Sequence, residues 1–398
     1  MTKRLLIIGS GDGGVMLANR LAKKGFDITV VDKSSTHYFQ PWLLHIAFKG
    51  ASEKSIAQTK LLPKGVKFVL DTVKEVDLAE RSATLGNAKL EYDYVVVDTG
   101  STADYSKIPG LYQLYQEFGD FHSNTEAAKR LWSKASGFAG GKAVIGSAYP
   151  IFKCPPSPLE AAFLFEELAR KRGVRKNTEI TFVTPFPRAY PAEPMNEIIE
   201  PIMKEKGISI STFFDVESVD TAKHVITSME GDVLNYDFAA LVPPHIGAGV
   251  VKDFCDENGF VKTDKETLQI DNFDDAYCIG DATNISTSKS GVTAHLESKV
   301  VAARLLGQDS KFDGRTNCPM EIGGHKCTFV IGSYTQPVAR LKPSTTNYLM
   351  KLGMKYTAWQ TLQTKMDWLM DWYFARTDPA KLNAKSSSSS QHQQSSNS

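Results

Sequence analysis

Cysteine is scarce in this chain: there are five among 398 residues, Cys154, Cys255, Cys278, Cys318 and Cys327. None forms a C-x-x-C pair, and their scatter excludes a disulfide framework. A pair oxidised in a reducing compartment would be catalytic rather than structural. An excess of one charge is also lacking, because 46 Lys and Arg against 45 Asp and Glu leave a formal net charge of +1. That balance gives no electrostatic footprint for nucleic acid. No window reaches the ~18 uninterrupted apolar residues that a spanning helix needs. The N-terminus reads directly as a strand, so a signal peptide is not expected and synthesis in the cytoplasm is. Composition is otherwise ordinary, with 42% hydrophobic and 23% charged residues, and the length allows two or three domains with full cores.

What organises the chain lies between Lys3 and Asp32. The apolar run Leu5-Leu6-Ile7-Ile8 leads into Gly9-Ser10-Gly11-Asp12-Gly13-Gly14, then a helical pattern (Val15, Leu17, Ala18, Leu21, Ala22), then Ile28-Thr29-Val30-Val31-Asp32. This is strand, tight turn, helix, strand. Gly9, Gly11 and Gly14 match G-x-G-x-x-G: one makes the turn, one lets a pyrophosphate approach, and one lets helix and strand pack closely. The helix N-terminus presents unpaired N–H groups to the phosphates. Asp32, eighteen residues after Gly14, is placed to accept from a ribose hydroxyl, with Gly13 and Lys33 beside these groups.

Further on, Tyr38-Phe39-Gln40-Pro41-Trp42 is an aromatic loop suited to a cofactor ring or to covering the sheet end. Strands are expected within 66–77 and 83–100, the last entering the turn Asp98-Thr99-Gly100. A second α/β unit carries a helix near 126–132 and a strand over 142–147, but Gly146-Ser147-Ala148-Tyr149-Pro150 lacks the second and third glycines, and Pro150 falls where a phosphate-binding helix would start. The spacing predicts further helices over 158–172, 195–206 and 291–306, and a strand over 180–183. Tyr277-Cys278-Ile279-Gly280-Asp281 delivers an acid at a glycine turn next to a helix start. Beyond Pro343, Leu352, Tyr356, Trp359, Leu362, Met366, Leu369 and Tyr373 recur at spacings of three and four, as on one apolar face of a long helix. Trp368 and Trp372 widen that face, and seven Lys or Arg against three Asp between Lys342 and Lys385 make it positive. Such a helix suits a membrane interface, or packing on its own protein or a partner. Residues 386–398, all Ser, Gln, His and Asn, are expected to be disordered.

Together these motifs resemble the sulfide:quinone oxidoreductases and the flavoprotein subunit of flavocytochrome c sulfide dehydrogenase. The carriers are Gly9 to Asp32, Tyr38-Phe39-Gln40-Pro41, Thr99-Gly100, Cys154-Pro155-Pro156-Ser157-Pro158-Leu159-Glu160, Val242-Pro243-Pro244, Ile279-Gly280-Asp281, Ser288-Lys289-Ser290-Gly291 and Cys327. The resemblance implies two Rossmann-like dinucleotide-binding domains, the second without a nucleotide fingerprint. It divides the chain into an FAD-binding domain in two parts (1–110 and 241–312), a second domain (111–240), and a C-terminal domain (313–385) with a helical membrane-surface segment.

It also implies noncovalent FAD, since no cysteine precedes Cys154, held at Gly9, Gly11, Gly13, Gly14, Asp32, Lys33, Pro41, Thr99, Gly100, Gly280, Asp281, Lys289 and Gly291. Cys154 and Cys327 match the redox cysteines, with Glu160 in proton relay; Cys318, nine residues before Cys327, is the alternative to it. A helix N-terminus after Cys154 is expected to lower its thiol. Sulfide and a quinone are the implied substrates, with Phe329, Tyr356 and Trp359 as candidates for the quinone wall and no metal. The implied setting is peripheral, monotopic, on the cytoplasmic side of the cell membrane, in a homo-oligomer. His45, His245 and His295 fall near site loops as further proton-relay candidates. Alternatives are a cytochrome-linked sulfide dehydrogenase flavoprotein, an NADH:quinone oxidoreductase, or a non-catalytic flavin redox sensor.

Overall fold

The computed structural model describes residues 2–384 apart from 87 and 272; the expected disordered tail lies outside the described residues. The strand Lys3–Ile8 sits at the centre of a five-stranded parallel sheet. Phe26–Asp32 and Tyr94–Val97 flank it, and Lys67–Leu70 and Ala276–Cys278 form the edges. Side chains alternate across a strand, and here both faces are apolar. Leu5 and Ile7 pack with Leu17, Leu21 and Val301 from the helices Asp12–Leu21 and Gly291–Leu305. Leu6 and Ile8 pack with Val76, Ala83 and Leu85 on the other side. That is why the strand reads as a continuous apolar run.

A second sheet, four-stranded and parallel, has the order Ile208–Ser211, Thr178–Val183, Gly141–Ser147, Phe238–Val242. The helices Thr125–Gly137, Ser157–Lys171 and Glu193–Glu205 contribute Leu131, Phe163 and Ile199 to the core around it. The chain then returns through His245–Gly247, which pairs with Ser101–Ala103, before Ala276–Cys278 completes the first sheet. The first sheet is thus built from two separated stretches of sequence.

The hairpin Thr316–Glu321 and Cys327–Gly332 follows. The long terminal helix expected from apolar spacing is instead two helices, Thr345–Leu362 and Asp367–Arg376, broken at a turn where Thr364 has φ +58°. The turn lets Asp367 reach Arg20 of the fingerprint helix at 3.1 Å. The apolar residues also do not share one face. Trp359 and Leu362 pack inward with Val15, Met16 and Leu61, whereas Tyr356 is 73%, Trp368 70% and Trp372 52% exposed. Among the described residues no helix is long and apolar enough to cross a membrane.

Candidate active site

The glycine loop is as tight as its sequence requires. Gly9 has φ +106°, and a Cβ there would stand 2.1 Å from the Asp98 carbonyl oxygen; one on Gly14 would stand 2.2 Å from the Gly9 carbonyl oxygen. Neither position admits a side chain. Asp32 Oδ2 accepts from Ser10 N–H at 2.7 Å and from Ser10 Oγ at 3.0 Å, and its Oδ1 accepts from Ser34 N–H at 2.7 Å. The strand-end acid therefore fixes the glycine loop. Lys33 lies next to Asp32, exposed.

Beneath the loop lies Asp98, fully buried, its Oδ2 accepting from Gly14 N–H at 2.6 Å. Burial pushes its carboxyl well up, the Gly14 bond opposes this, and Asp12, Asp281 and Glu297 push further the same way. Burial thus disfavours a negative charge on Asp98 beneath the glycine loop. Glu297 does the same for the next turn: its Oε2 accepts from Gly280 N–H at 2.6 Å, and burial lifts it to about 8.

Asp281, at that turn, accepts from Ser101 Oγ at 3.4 Å and faces Lys153 and Lys289. Lys289 Nζ donates to the carbonyls of Asp281 and Thr283 at 3.2 and 2.5 Å. Thr99 and Gly100, the latter at φ +68°, follow Asp98 into the same cleft. Pro41 opens a short turn, Gln40–Trp42, and Gln40 Oε1 accepts from Lys153 Nζ at 2.8 Å. A Cβ on Gly291 would stand 2.1 Å from Asp12 Oδ2, so this helix start too packs against the fingerprint.

Cys154 meets this cleft from the second unit. Its backbone is left-handed, φ +55°, which costs a non-glycine residue roughly 1 kcal/mol or more. Three hydrogen bonds hold it there: Cys154 N–H donates to the Lys289 carbonyl at 2.9 Å, and its own carbonyl accepts from Ser157 N–H at 2.9 Å and Ser157 Oγ at 2.8 Å. Cys318 Sγ lies 3.1 Å from Ser288 Oγ. Cys154 and Cys318 thus attach to adjacent residues of one loop, and after burial it is Cys318 that most opposes ionisation of the Cys154 thiol. Burial pushes Cys154 up to about 12; the lowering expected from the helix N-terminus does not prevail.

Cys327, expected to pair with Cys154, lies on the other face of the hairpin from Cys318. In the hairpin Cys318 stands opposite Val330, and Cys327 opposite Glu321. Directly opposed residues share a face, so the two cysteines point to opposite sides. Cys318, Met320 and Val330 face the second-domain core, while Cys327, Phe329 and Ile331 face the C-terminal segment with Leu341 and Tyr348. Cys327 Sγ donates to the Thr328 carbonyl at 3.1 Å.

Around Cys327 is a buried charged cluster. Glu160 pairs with Lys351 of the terminal helix, and Glu321 with Lys49 and with His45 Nε2, the last at 3.0 Å. For Lys351 burial works against the charge, but Glu160, Cys327 and Glu321 outweigh it. Glu321 falls to about 2 because His45, Lys351 and Lys49 outweigh burial, and burial lowers His45 to about 4. His45, Glu160 and Glu321 offer three ligand atoms within 4.8 Å of one another. The two lysines already supply the positive charge that a metal would bring.

The three residues proposed for a quinone wall are not together. Phe329 packs on Tyr373, Trp359 on His37 and Phe39, and Tyr356 is at the surface. His295 contacts Met16 Sδ and Arg20, away from the cysteines. His122 was not legible as a site residue; it reaches Ser157 Oγ at 2.6 Å, a contact between positions 35 residues apart in no recognisable motif. Where the second glycine fingerprint would lie, a small cavity is lined by Pro150, Phe152, Pro155, Pro158, Phe182 and Phe186 among others. Three prolines there remove N–H donors that phosphates would need.

Comparison with known proteins agrees with this architecture. The chain is 27% identical to the mitochondrial sulfide:quinone oxidoreductase of Mus musculus, covering 88% of this chain and 84% of that one. The solved sulfide:quinone oxidoreductase of Aquifex aeolicus superimposes with a TM-score of 0.76 at 18% identity, over 91% of this chain and 92% of that one. NDH2 from Plasmodium falciparum, solved with NADH, gives a TM-score of 0.71 at 13% identity over 92% of this chain and 99% of that one. Residues 3–304 match the family described as pyridine nucleotide-disulphide oxidoreductase, and the chain belongs to that family.

Proposed function

We propose that the protein is an FAD-dependent sulfide:quinone oxidoreductase, with Cys154 and Cys318 as its redox pair. The observation that carries this reading is the attachment of both cysteines to the Ser288–Lys289 loop, next to the turn that presents Asp281. Relatives named sulfide:quinone oxidoreductase support it at most of the chain's length.

The residues fit the cofactor. The cradle at Gly9 and Gly14 has no room for a Cβ, the helix Asp12–Leu21 begins with no side-chain cap, and burial disfavours a negative charge on Asp98 beneath it. Asp32 would hold the ribose and Asp281 the ribityl side, with Lys289 as the nearby cation. FAD, when bound, accepts two electrons from the thiol side and passes them to a quinone.

On that side, hydrosulfide attacks one sulfur of a Cys154–Cys318 bridge. The S–S bond breaks, one cysteine becomes a persulfide and the other leaves as a thiolate. Glu160, paired with Lys351 near Cys327, is a charge that orders this side of the terminal helix. We further propose that the outer face bearing Tyr356, Trp368 and Trp372 rests on a membrane surface, where a quinone is available. An NADH:quinone oxidoreductase is disfavoured by the proline-lined second turn.

Anaerobic titration with sulfide, following flavin absorbance, then addition of a soluble quinone tests the reading. Bleaching and recovery are expected in the wild type and in Cys327→Ser, with loss of bleaching in Cys154→Ser and Cys318→Ser. Loss in Cys327→Ser with retention in Cys318→Ser restores the other pairing, and bleaching by NADH but not sulfide overturns the function.

A further inference from the structure

Two lysines meet on aromatic rings where the first domain touches the terminal helix. Lys54 lies in the loop between the helix Leu43–Lys49 and the strand Ser55–Ala57, and Lys355 lies on the helix Thr345–Leu362. Lys54 Nζ donates to the Lys355 carbonyl. It stands 5.1 Å from the ring centroid of Trp359 and 5.9 Å from that of Phe39. Lys355 Nζ stands 3.9 Å from the centroid of Trp42 and 5.8 Å from that of Tyr356. Both lysines are half-buried, Trp42 beneath is 8% exposed and Tyr356 beside them 73%.

The two ammonium groups lack a carboxylate. Among the described residues no acid pairs with either. Glu53, adjacent to Lys54, is held by Lys129 at 3.1 Å, and Glu160 and Glu321 are taken by Lys351, Lys49 and His45. Ring faces attract an ammonium but carry no net charge, so both positive charges stay uncompensated. They also oppose each other: burial first, and then Lys355, lower the Lys54 ammonium. Like charges held together at a partly desolvated surface repel, and an anion placed over them removes that repulsion.

We propose that Lys54 and Lys355 bind the phosphate of an anionic lipid headgroup at the edge of the membrane-facing surface. The inference rests on the membrane-surface reading of Tyr356, Trp368 and Trp372 and adds to it a lipid class. Aromatic side chains of such a face sit at headgroup level, and lysines carry their charge from an apolar base to the same level. Tyr356, in contact with Lys355, therefore places the lysine pair where lipid phosphates are. A choline or ethanolamine headgroup brings its own cation, whereas a phosphodiester without one leaves its charge to the two lysines. One phosphate would tie the first domain, through Lys54, and the terminal helix, through Lys355, to the same lipid.

The test is flotation of flavin-loaded full-length protein with vesicles of phosphatidylcholine alone and of phosphatidylcholine mixed with phosphatidylglycerol. Wild type should bind the mixed vesicles more tightly. Lys54→Gln with Lys355→Gln should lose ~30-fold on mixed vesicles, from about 5-fold per lysine at an anionic surface, with binding to phosphatidylcholine unchanged. Lys54→Arg with Lys355→Arg keeps both charges and a phosphate-binding group and should retain the preference. Lys342→Gln with Lys365→Gln removes the same charge from two exposed positions of the terminal segment and should lose clearly less. Equal losses in the two glutamine pairs overturn the site in favour of diffuse attraction. Should the double variant lose flavin, the single variants Lys54→Gln and Lys355→Gln, each expected to lose ~5-fold, decide. Unchanged flotation with a raised KM for a soluble quinone assigns the lysines to the quinone and also overturns the proposal. A wild type that floats with neither vesicle refutes the membrane-surface reading itself, while wild type and glutamine pair floating equally with mixed vesicles refute only the headgroup site.

Discussion

Asp98 shows how a single residue changes the meaning of a motif. Sequence places an ionisable group one residue before the Thr99-Gly100 turn; burial pushes its carboxyl well up, against the 2.6 Å bond from Gly14 N–H that favours the charged form. Glu297 beside it is testable through pH. Its folded value, about 8, lies above the ordinary 4.5, so its contribution to stability is complete below pH 4.5 and is lost as pH rises through 8. Glu297→Gln removes that titration. Denaturant midpoints should show the variant gaining on the wild type between pH 5 and 9 by ~1 kcal/mol or more, since each tenfold change in proton affinity between folded and unfolded chain corresponds to about 1.4 kcal/mol. Parallel pH curves would show that Glu297 stays ionised. At Gly9, where φ is +106° and a Cβ would meet the Asp98 carbonyl at 2.1 Å, Gly9→Ala should yield protein with native circular dichroism and no bound flavin. Retained flavin absorbance would count against the cradle.

At the level of elements, the hairpin that precedes the terminal helices sends its two cysteines into different surroundings. Period-two alternation sends Cys318 and Cys327 to opposite faces, and the register that sets this, Glu321 opposite Cys327, is not visible in either strand alone. The helix Thr345–Leu362 is tied down on its inner side by Lys351, buried against Glu160. Lys351→Met leaves Glu160 uncompensated and should cost ~3–5 kcal/mol in chemical denaturation. The double variant with Glu160→Gln should recover most of that. If Lys351→Met costs less than about 1 kcal/mol, the ion pair does not hold the helix.

For the whole molecule, the terminal helices close over the first domain with one side while offering Tyr356, Trp368 and Trp372 to the outside. Cutting the chain at Pro343 would also remove Lys351, so surface substitutions separate anchoring from stability. Tyr356→Ser, Trp368→Ser and Trp372→Ser together remove several hundred Å² of apolar surface, given roughly 150–250 Å² per aromatic side chain. Flotation with anionic vesicles should fall ~10-fold or more on burial arithmetic, with sulfide bleaching unchanged. Undiminished flotation would remove the membrane-surface proposal.

Local signals carried the first domain almost entirely. The apolar run, the three glycines and Asp32 lie within one strand-turn-helix-strand unit, so spacing alone fixes their geometry; the missing second fingerprint was likewise readable from Pro150 and the absent glycines. The helices near 158–172, 195–206 and 291–306 were found within two residues of their observed bounds, because each buries a periodic apolar face. What tertiary structure decided were relations between distant segments. These are the opposite faces taken by Cys318 and Cys327, the division of the terminal aromatics between inner and outer sides, the burial of Asp98, and the meeting of His122 with Ser157. Each depends on burial or strand register, and neither is written in the spacing of residues along one element.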